Sequence, residues 1–251
     1  MKRNTLKKTI AFVMAFTLVA GTMPANVGGF LTWGTEIVAR AYDNNPYADL
    51  VPTANNSDEE LTAKQVTFGN KQWHIIKDES TSATEGTVTL LLASNSLGSI
   101  KFDEGGSNVY ENSSVKTALD NLTTSGIFKN FADAIKDTEN GKVYLLSDTE
   151  AEEVPKNLRK AYDSQAWWLR TQGTDAGNVK YVYVADANDP GRISNKGVAA
   201  TTLVGARLAL KLDLSKVVFD ADSKTFNLPA TAPTVNSVTG TTLVKGYLII
   251  K

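Results

Sequence analysis

Residues 88–93 read VTLLLA, an almost continuously apolar run whose only polar member is Thr89. A run this short and this apolar predicts a strand buried on both faces, central in a sheet. Upstream, residues 66–68 (VTF) and 72–77 (QWHIIK) flank Gly69-Asn70, two β-prone runs around a turn, which predicts a hairpin. Downstream the pattern turns helical. Asn112 or Ser113 can cap residues 114–122, where Val115, Leu119 and Leu122 recur at the spacing of one helix face. A second helix is expected over 127–135, with Phe128, Phe131 and Ile135 on its apolar stripe. Residues 143–146 (VYLL) form a further strand, and Ser147-Asp148-Thr149-Glu150 has the S-x-x-E pattern of a capping box opening a short acidic helix. Three strands follow at 166–171, 179–185 and 206–212, with Gly191 and Gly197 in the loops between the last two. Hairpin, strand, helices and then mostly strands predict an α+β domain over residues 64–215. Its sheet is twisted and mostly antiparallel, with two to three short helices.

Outside this domain the composition changes. Residues 1–41 start with Lys2, Arg3, Lys7 and Lys8, followed by an 11-residue apolar run at 10–20. A membrane-spanning helix needs about 20 apolar residues, so the run reads as the core of a secretory signal peptide, with a retained, uncleaved anchor as the alternative. Ala39-Arg40-Ala41 offers a cleavage site that makes Tyr42 the mature start, with a site nearer Ala25 as the competing choice. Export places the protein outside the cell, secreted or at the cell surface. Residues 42–63, rich in Asn, Asp and Pro, read as a linker. Residues 216–251 read as a hairpin around 220–223, a Pro/Thr/Ala stretch at 229–240 and a terminal strand-like run. LPATA at 228–232 lacks the long apolar segment and basic tail of a wall-sorting signal, so it too reads as linker.

The leader holds five of the 26 basic and one of the 27 acidic residues, leaving 21 against 26, a net charge of −5, from residue 42 onward. A nucleic acid or an anionic membrane selects clustered Lys and Arg, so neither is an expected partner. With no cysteine in the chain, thiol nucleophiles, Fe–S clusters and Cys-ligated zinc are excluded, and the fold depends on its own core.

Several motifs occur together in order: FGNKQWHII, VTLLLAS, NVYENSSVKTALDNL, VYLLSDTEAEE, AWWLRT and VGARLALKLD. This set resembles the DUF6273 family, a domain of exported proteins from Gram-positive gut and rumen bacteria. The resemblance runs over residues 66–214. Its most specific elements are Tyr110-Glu111-Asn112-Ser113, Leu145-Leu146-Ser147 with Glu150-Ala151, and Trp167-Trp168-Leu169-Arg170. The closing Gly205-Ala206-Arg207-Leu208-Ala209-Leu210 lacks the Val and Pro of the family's usual G-V-R-P-A-L. The W-W-L-R and G-x-R elements are also similar to the ends of C-type-lectin-like and formylglycine-generating-enzyme-like domains. That similarity implies a compact α+β fold whose ligands meet loops. The enzyme branch depends on cysteines that this chain lacks.

Candidate chemistry is sparse. His74 is the single histidine and has no second imidazole with which to ligate a metal. Glu150, Glu152, Glu153, Asp186 and Asp189 are the carboxylates open to a glycosidase reading. The helix dipole already accounts for acids in the first turn of the helix at 148. Asp186, Asn188 and Asp189 place oxygen ligands at spacings suited to calcium, but Asn-Asp-Pro-Gly is also an ordinary turn between two strands, and the turn is the leading reading. No other cofactor is expected. In the strand at 166–171, Trp167 and Leu169 share one face and Trp168 and Arg170 the other. One reading puts both indoles in the core, with Arg170 paired to a carboxylate. The other makes Trp167, Trp168, Arg170 and, in the last strand, Arg207 a ligand-binding surface. The leading expectation is a non-catalytic exported domain recognising an extracellular glycan or protein. A structural module of a wall-associated assembly and a carboxylate-dependent carbohydrate hydrolase are the alternatives.

Overall fold

The computed structural model describes residues 45–94, 98–160, 165–184, 189–230, 242–244 and 247–249. The leader expected over 1–41 lies outside them. The described residues from 45 onward belong to one compact unit. Its elements in chain order are α1 (Asp58–Ala63), β1 (Val66–Phe68), β2 (Lys71–Ser82), β3 (Glu85–Leu92), β4 (Ser99–Lys101), α2 (Ser114–Thr124) and β5 (Val143–Tyr144). There follow α3 (Asp148–Glu153), α4 (Lys156–Arg159), β6 (Trp167–Gln172), β7 (Asn178–Val182), β8 (Val198–Ala199), β9 (Leu203–Gly205) and β10 (Ala209–Asp213). The described chain closes with β11 (Val218–Asp220), β12 (Thr225–Asn227), β13 (Thr242–Val244) and β14 (Tyr247–Ile249). The fold is mixed α and β, with two main sheets and a few short helices.

The first sheet has seven strands in the order β11-β12-β1-β2-β3-β10-β5, and the second five in the order β4-β9-β6-β7-β8. Among these strands only β1–β12 and β6–β9 pair in parallel. The strand at 88–93 is internal, as its apolar run predicts: β3 lies between β2 and β10, with Val88, Leu90, Leu91 and Leu92 buried. One face of the first sheet presents Trp73, Ile75 and Leu90 toward residues 128–131, where Phe128 meets Trp73 at 5.8 Å and Phe131 meets Phe68 at 5.3 Å. The helix expected over 127–135 is a 3-10 segment, Lys129–Ala134, after α2.

Two segments cross between the sheets. Val143 and Tyr144 pair with β10 in the first sheet, and two residues later the Leu146 carbonyl accepts from the Arg170 N–H of β6 in the second. The strand expected at 206–212 starts only at Ala209, because its first three residues make the second crossing. β9 belongs to the second sheet and β10 to the first, with Ala206-Arg207-Leu208 as the crossover.

The N-terminal flanking segment departs from the linker reading, while the hairpin expected around 220–223 is present and the linker expected at 229–240 lies outside the described residues from 231 onward. Ser57 and Glu60 form a capping box that starts α1, and Leu61 is buried. Tyr47 is fully buried, 5.3 Å from Phe219 and 5.7 Å from Phe226, and its hydroxyl donates to the Ala83 carbonyl at 2.6 Å. Residues 45–63 are thus packed chain, because Tyr47, Leu50 and Leu61 bring apolar surface that the polar composition masked. The hairpin β11–β12 is an integral edge of the seven-stranded sheet, since Thr225 of β12 registers with Thr67 of β1.

Candidate functional site

The four residues expected to bind ligand are mostly core. Trp167, Trp168 and Arg207 are each 0% exposed. The Trp167 indole donates to the Arg159 carbonyl at 2.8 Å and lies under the Arg207 guanidinium, 5.4 Å away. Trp168 donates to the Ile100 carbonyl at 2.9 Å and meets Phe102 edge-on at 5.7 Å. Arg207 donates to the carbonyls of Leu92 and Leu158, both at 2.7 Å. These three therefore hold the two sheets and α4 together and have no surface to offer a ligand. Arg170 differs: its guanidinium donates to the Leu145 carbonyl at 2.8 Å and pairs with Glu150, 5.7 Å from the Tyr144 ring centroid.

Of the calcium candidates, Asp186 and Asn188 lie outside the described residues. Asp189 pairs with the Lys156 ammonium. Gly191 makes the adjoining turn at φ +83°, where a Cβ would meet the Lys156 carbonyl oxygen at 2.6 Å. Among the described residues no group of three His, Cys, Asp or Glu side chains is placed to hold a metal. His74 is fully buried in β2, where burial and then the Arg207 charge pull it down to about 3, so it stays neutral.

Arg170 leads to the site that the strand pattern did not single out. Beside its Glu150 partner lies a cleft of about 220 Å³ on the outer part of the first sheet. Two other depressions, at Lys156 and Asp189 and at Ile100 and Leu203, open more widely to solvent. The cleft floor is a row across three strands, since Lys77 registers with Thr89 and Thr89 with Lys211. Tyr144 stands on the same face, through its register with Ala209 two residues before Lys211. A β-bulge sets this floor. Ile75 pairs with Leu90 and Lys77 with the next residue, Thr89, so Ile76 is the extra residue and both Ile76 and Lys77 line the cleft. Bulges re-aim side chains in this way. Without it, strict alternation would turn Lys77 and Glu79 to the opposite face.

The walls come from residues 138–140 and from α3. The Ser147–Glu150 capping box, expected from S-x-x-E, is present and starts α3 so that Glu150, Glu153 and Val154 face the cleft. Burial pushes the Glu150 carboxyl up, but the Arg170 hydrogen bond and charge and the Ser147 N–H outweigh it and hold it below the usual carboxylate range. Beside the floor Glu79 accepts from Lys211 at 2.5 Å and from Lys77 at 3.2 Å, and the Lys211 ammonium holds its carboxyl low. Burial, with the Glu150 charge, pushes the Tyr144 phenol up to about 12. At neutral pH the cleft thus presents ammonium groups and hydroxyls on its floor and carboxylates on its wall. Such a surface binds polar ligands by charge-assisted hydrogen bonds.

The sequence signal for this site was divided among elements. Glu150 and Glu153 stand out in the sequence as acids, while Lys77, Thr89 and Lys211 are distant in sequence and meet only through sheet register. Among the described residues no helix is long and apolar enough to cross a membrane. No family model, curated protein or solved structure matches the chain.

Proposed function

We propose that the chain is an exported, non-catalytic domain that binds an extracellular glycan in the cleft floored by Lys77, Thr89 and Lys211. The observation that carries this reading is the concentration of polar groups, from four strands and a capped helix, around one concavity. A glycan fits better than a protein surface because the cleft is small and concave, whereas a stable protein interface covers about 800 Å² per partner. The leader at 1–41 and the net charge of −5 from residue 42 onward support an extracellular setting and argue against nucleic acid. The DUF6273 and C-type-lectin-like resemblances belong to the same proposal, supported by the ordered motifs and the mixed sheets.

A hydrolase is the second reading, because Glu150 and Glu153 line the same cleft. Against it, Glu150 is committed to Arg170 and to its own helix cap, and its carboxyl is held low, unlike a general acid. The test is a glycan-array and cell-wall-polysaccharide screen of residues 42–251, with calcium and with chelator, beside Lys211→Ala. Saturable binding without hydrolysis, weakened by about tenfold or more in the variant as a lost charged hydrogen bond implies, is the expected result. Hydrolysis abolished by Glu153→Gln would establish the enzyme instead. Calcium-dependent binding that ignores Lys211→Ala would move the site to residues 186–189.

A further inference from the structure

We infer that the ligand of this cleft carries one carboxylate and one ammonium on the same small unit, the carboxylate held between Lys77 and Lys211 and the ammonium against Glu153. The inference rests on the cleft being the binding site, and it follows from how charge is divided there. On the floor, two ammonium groups share one counter-ion, Glu79, so the row keeps one positive charge that the protein does not neutralise. Each ammonium has three N–H donors, and the Thr89 hydroxyl between them adds another. On the walls, Glu150 is neutralised by Arg170, whereas Glu139 and Glu153, both exposed and on the cleft, have no ion pair among the described residues. Glu153 stands on α3 beside the neutralised Glu150, and Glu139 on the other wall adds to the same negative side.

A purely anionic ligand meets Glu139 and Glu153 as like charges, and a purely cationic one meets the lysine row. A ligand with both charges satisfies both sides. At about 220 Å³ the cleft is smaller than the roughly 300–1,000 Å³ typical of drug-sized ligand pockets. The two charges therefore sit within one or two residues or sugar units. Two sources supply this chemistry: an amino-sugar acid with a free amine, or a short peptide.

The experiment titrates residues 42–251 with muramic acid and with the dipeptide Ala–Ala. The single-charge analogues are N-acetyl-Ala–Ala and Ala–Ala amide, and the neutral probe is N,N′-diacetylchitobiose. Amide shifts at Lys77, Tyr144 and Lys211 report occupancy. Binding of muramic acid, of the dipeptide or of both supports the inference and identifies the source, provided each single-charge analogue binds about tenfold or more weakly, as expected for a lost charge-assisted contact. Lys211→Ala should weaken the dipeptide but spare its amide, and Glu153→Gln should weaken it but spare the N-acetyl form. Unchanged amide spectra outside the cleft verify folding of both variants. If chitobiose binds at the cleft as well as the doubly charged probes, the charge inference fails while the binding site stands. If no probe moves these amides, both fail.

Discussion

Arg207 places a fully buried guanidinium where the chain passes from one sheet to the other, hydrogen-bonded to the carbonyls of Leu92 and Leu158. A buried charge is tolerated when its donors are met, and removing it strands the acceptors. Arg207→Ala is therefore expected to cost about 2–5 kcal/mol, from the cavity left and the stranded carbonyls, read as a lowered denaturant midpoint with the slope unchanged; a loss under 1 kcal/mol would refute the role. His74 makes a second prediction. Its folded pKa, about 3, is depressed below the ordinary 6.5, so the unfolded chain binds a proton that the native protein does not. Stability is then full above pH 6.5 and falls as the pH drops toward 3, with a slope of up to about 1.4 kcal/mol per pH unit. Between pH 6.5 and 5, above the carboxylate range, His74→Gln should flatten that slope, and denaturation at stepped pH checks it. The pattern of the strand at 166–171 already contained the core role of the two tryptophans as one of its readings. Arg207 was harder, because an arginine in an apolar strand reads equally as a surface donor until its carbonyl partners are known.

Local elements with a chemical signature were legible. Ser147 and Glu150 announced α3, and Val115 and Leu119, buried in α2, followed the helical spacing. The same S-x-x-E signature at Ser57 and Glu60 was hidden in a segment whose overall composition resembles a linker. The bulge at Ile76 has no such signature. It reverses the parity of β2, so alternation read from Trp73 and His74 assigns the wrong face to Lys77 and Glu79. The division of 203–213 between two sheets was equally invisible, since a crossover and a continuous strand share the same apolar pattern. The caps supply the prediction at this scale. Ser147→Ala removes the acceptor for the Glu150 N–H and should cost about 1 kcal/mol. Because α3 forms the cleft wall, it should also weaken ligand binding. Ser57→Ala, with the same cap chemistry on α1, should cost a similar amount and leave binding unchanged. Equal effects of the two on affinity would dissociate α3 from the site.

Across the whole molecule, two sheets are tied by the crossing segments at 143–146 and 203–213, and the first sheet passes from core to solvent along one face. His74, Leu91, Ala209 and Tyr144 form a buried row, and Lys77, Thr89 and Lys211 form the next. The cleft lies at that boundary, which is why its groups are charged yet held in fixed positions. Amide-shift mapping of residues 42–251 titrated with a soluble digest of bacterial cell wall tests the central claim most directly. The account predicts saturable shifts clustered at Ile76, Lys77, Asn140, Tyr144, Glu153 and Lys211. Saturable shifts confined to the turn around Asp189 and Gly191, with the cleft residues unmoved, would contradict it.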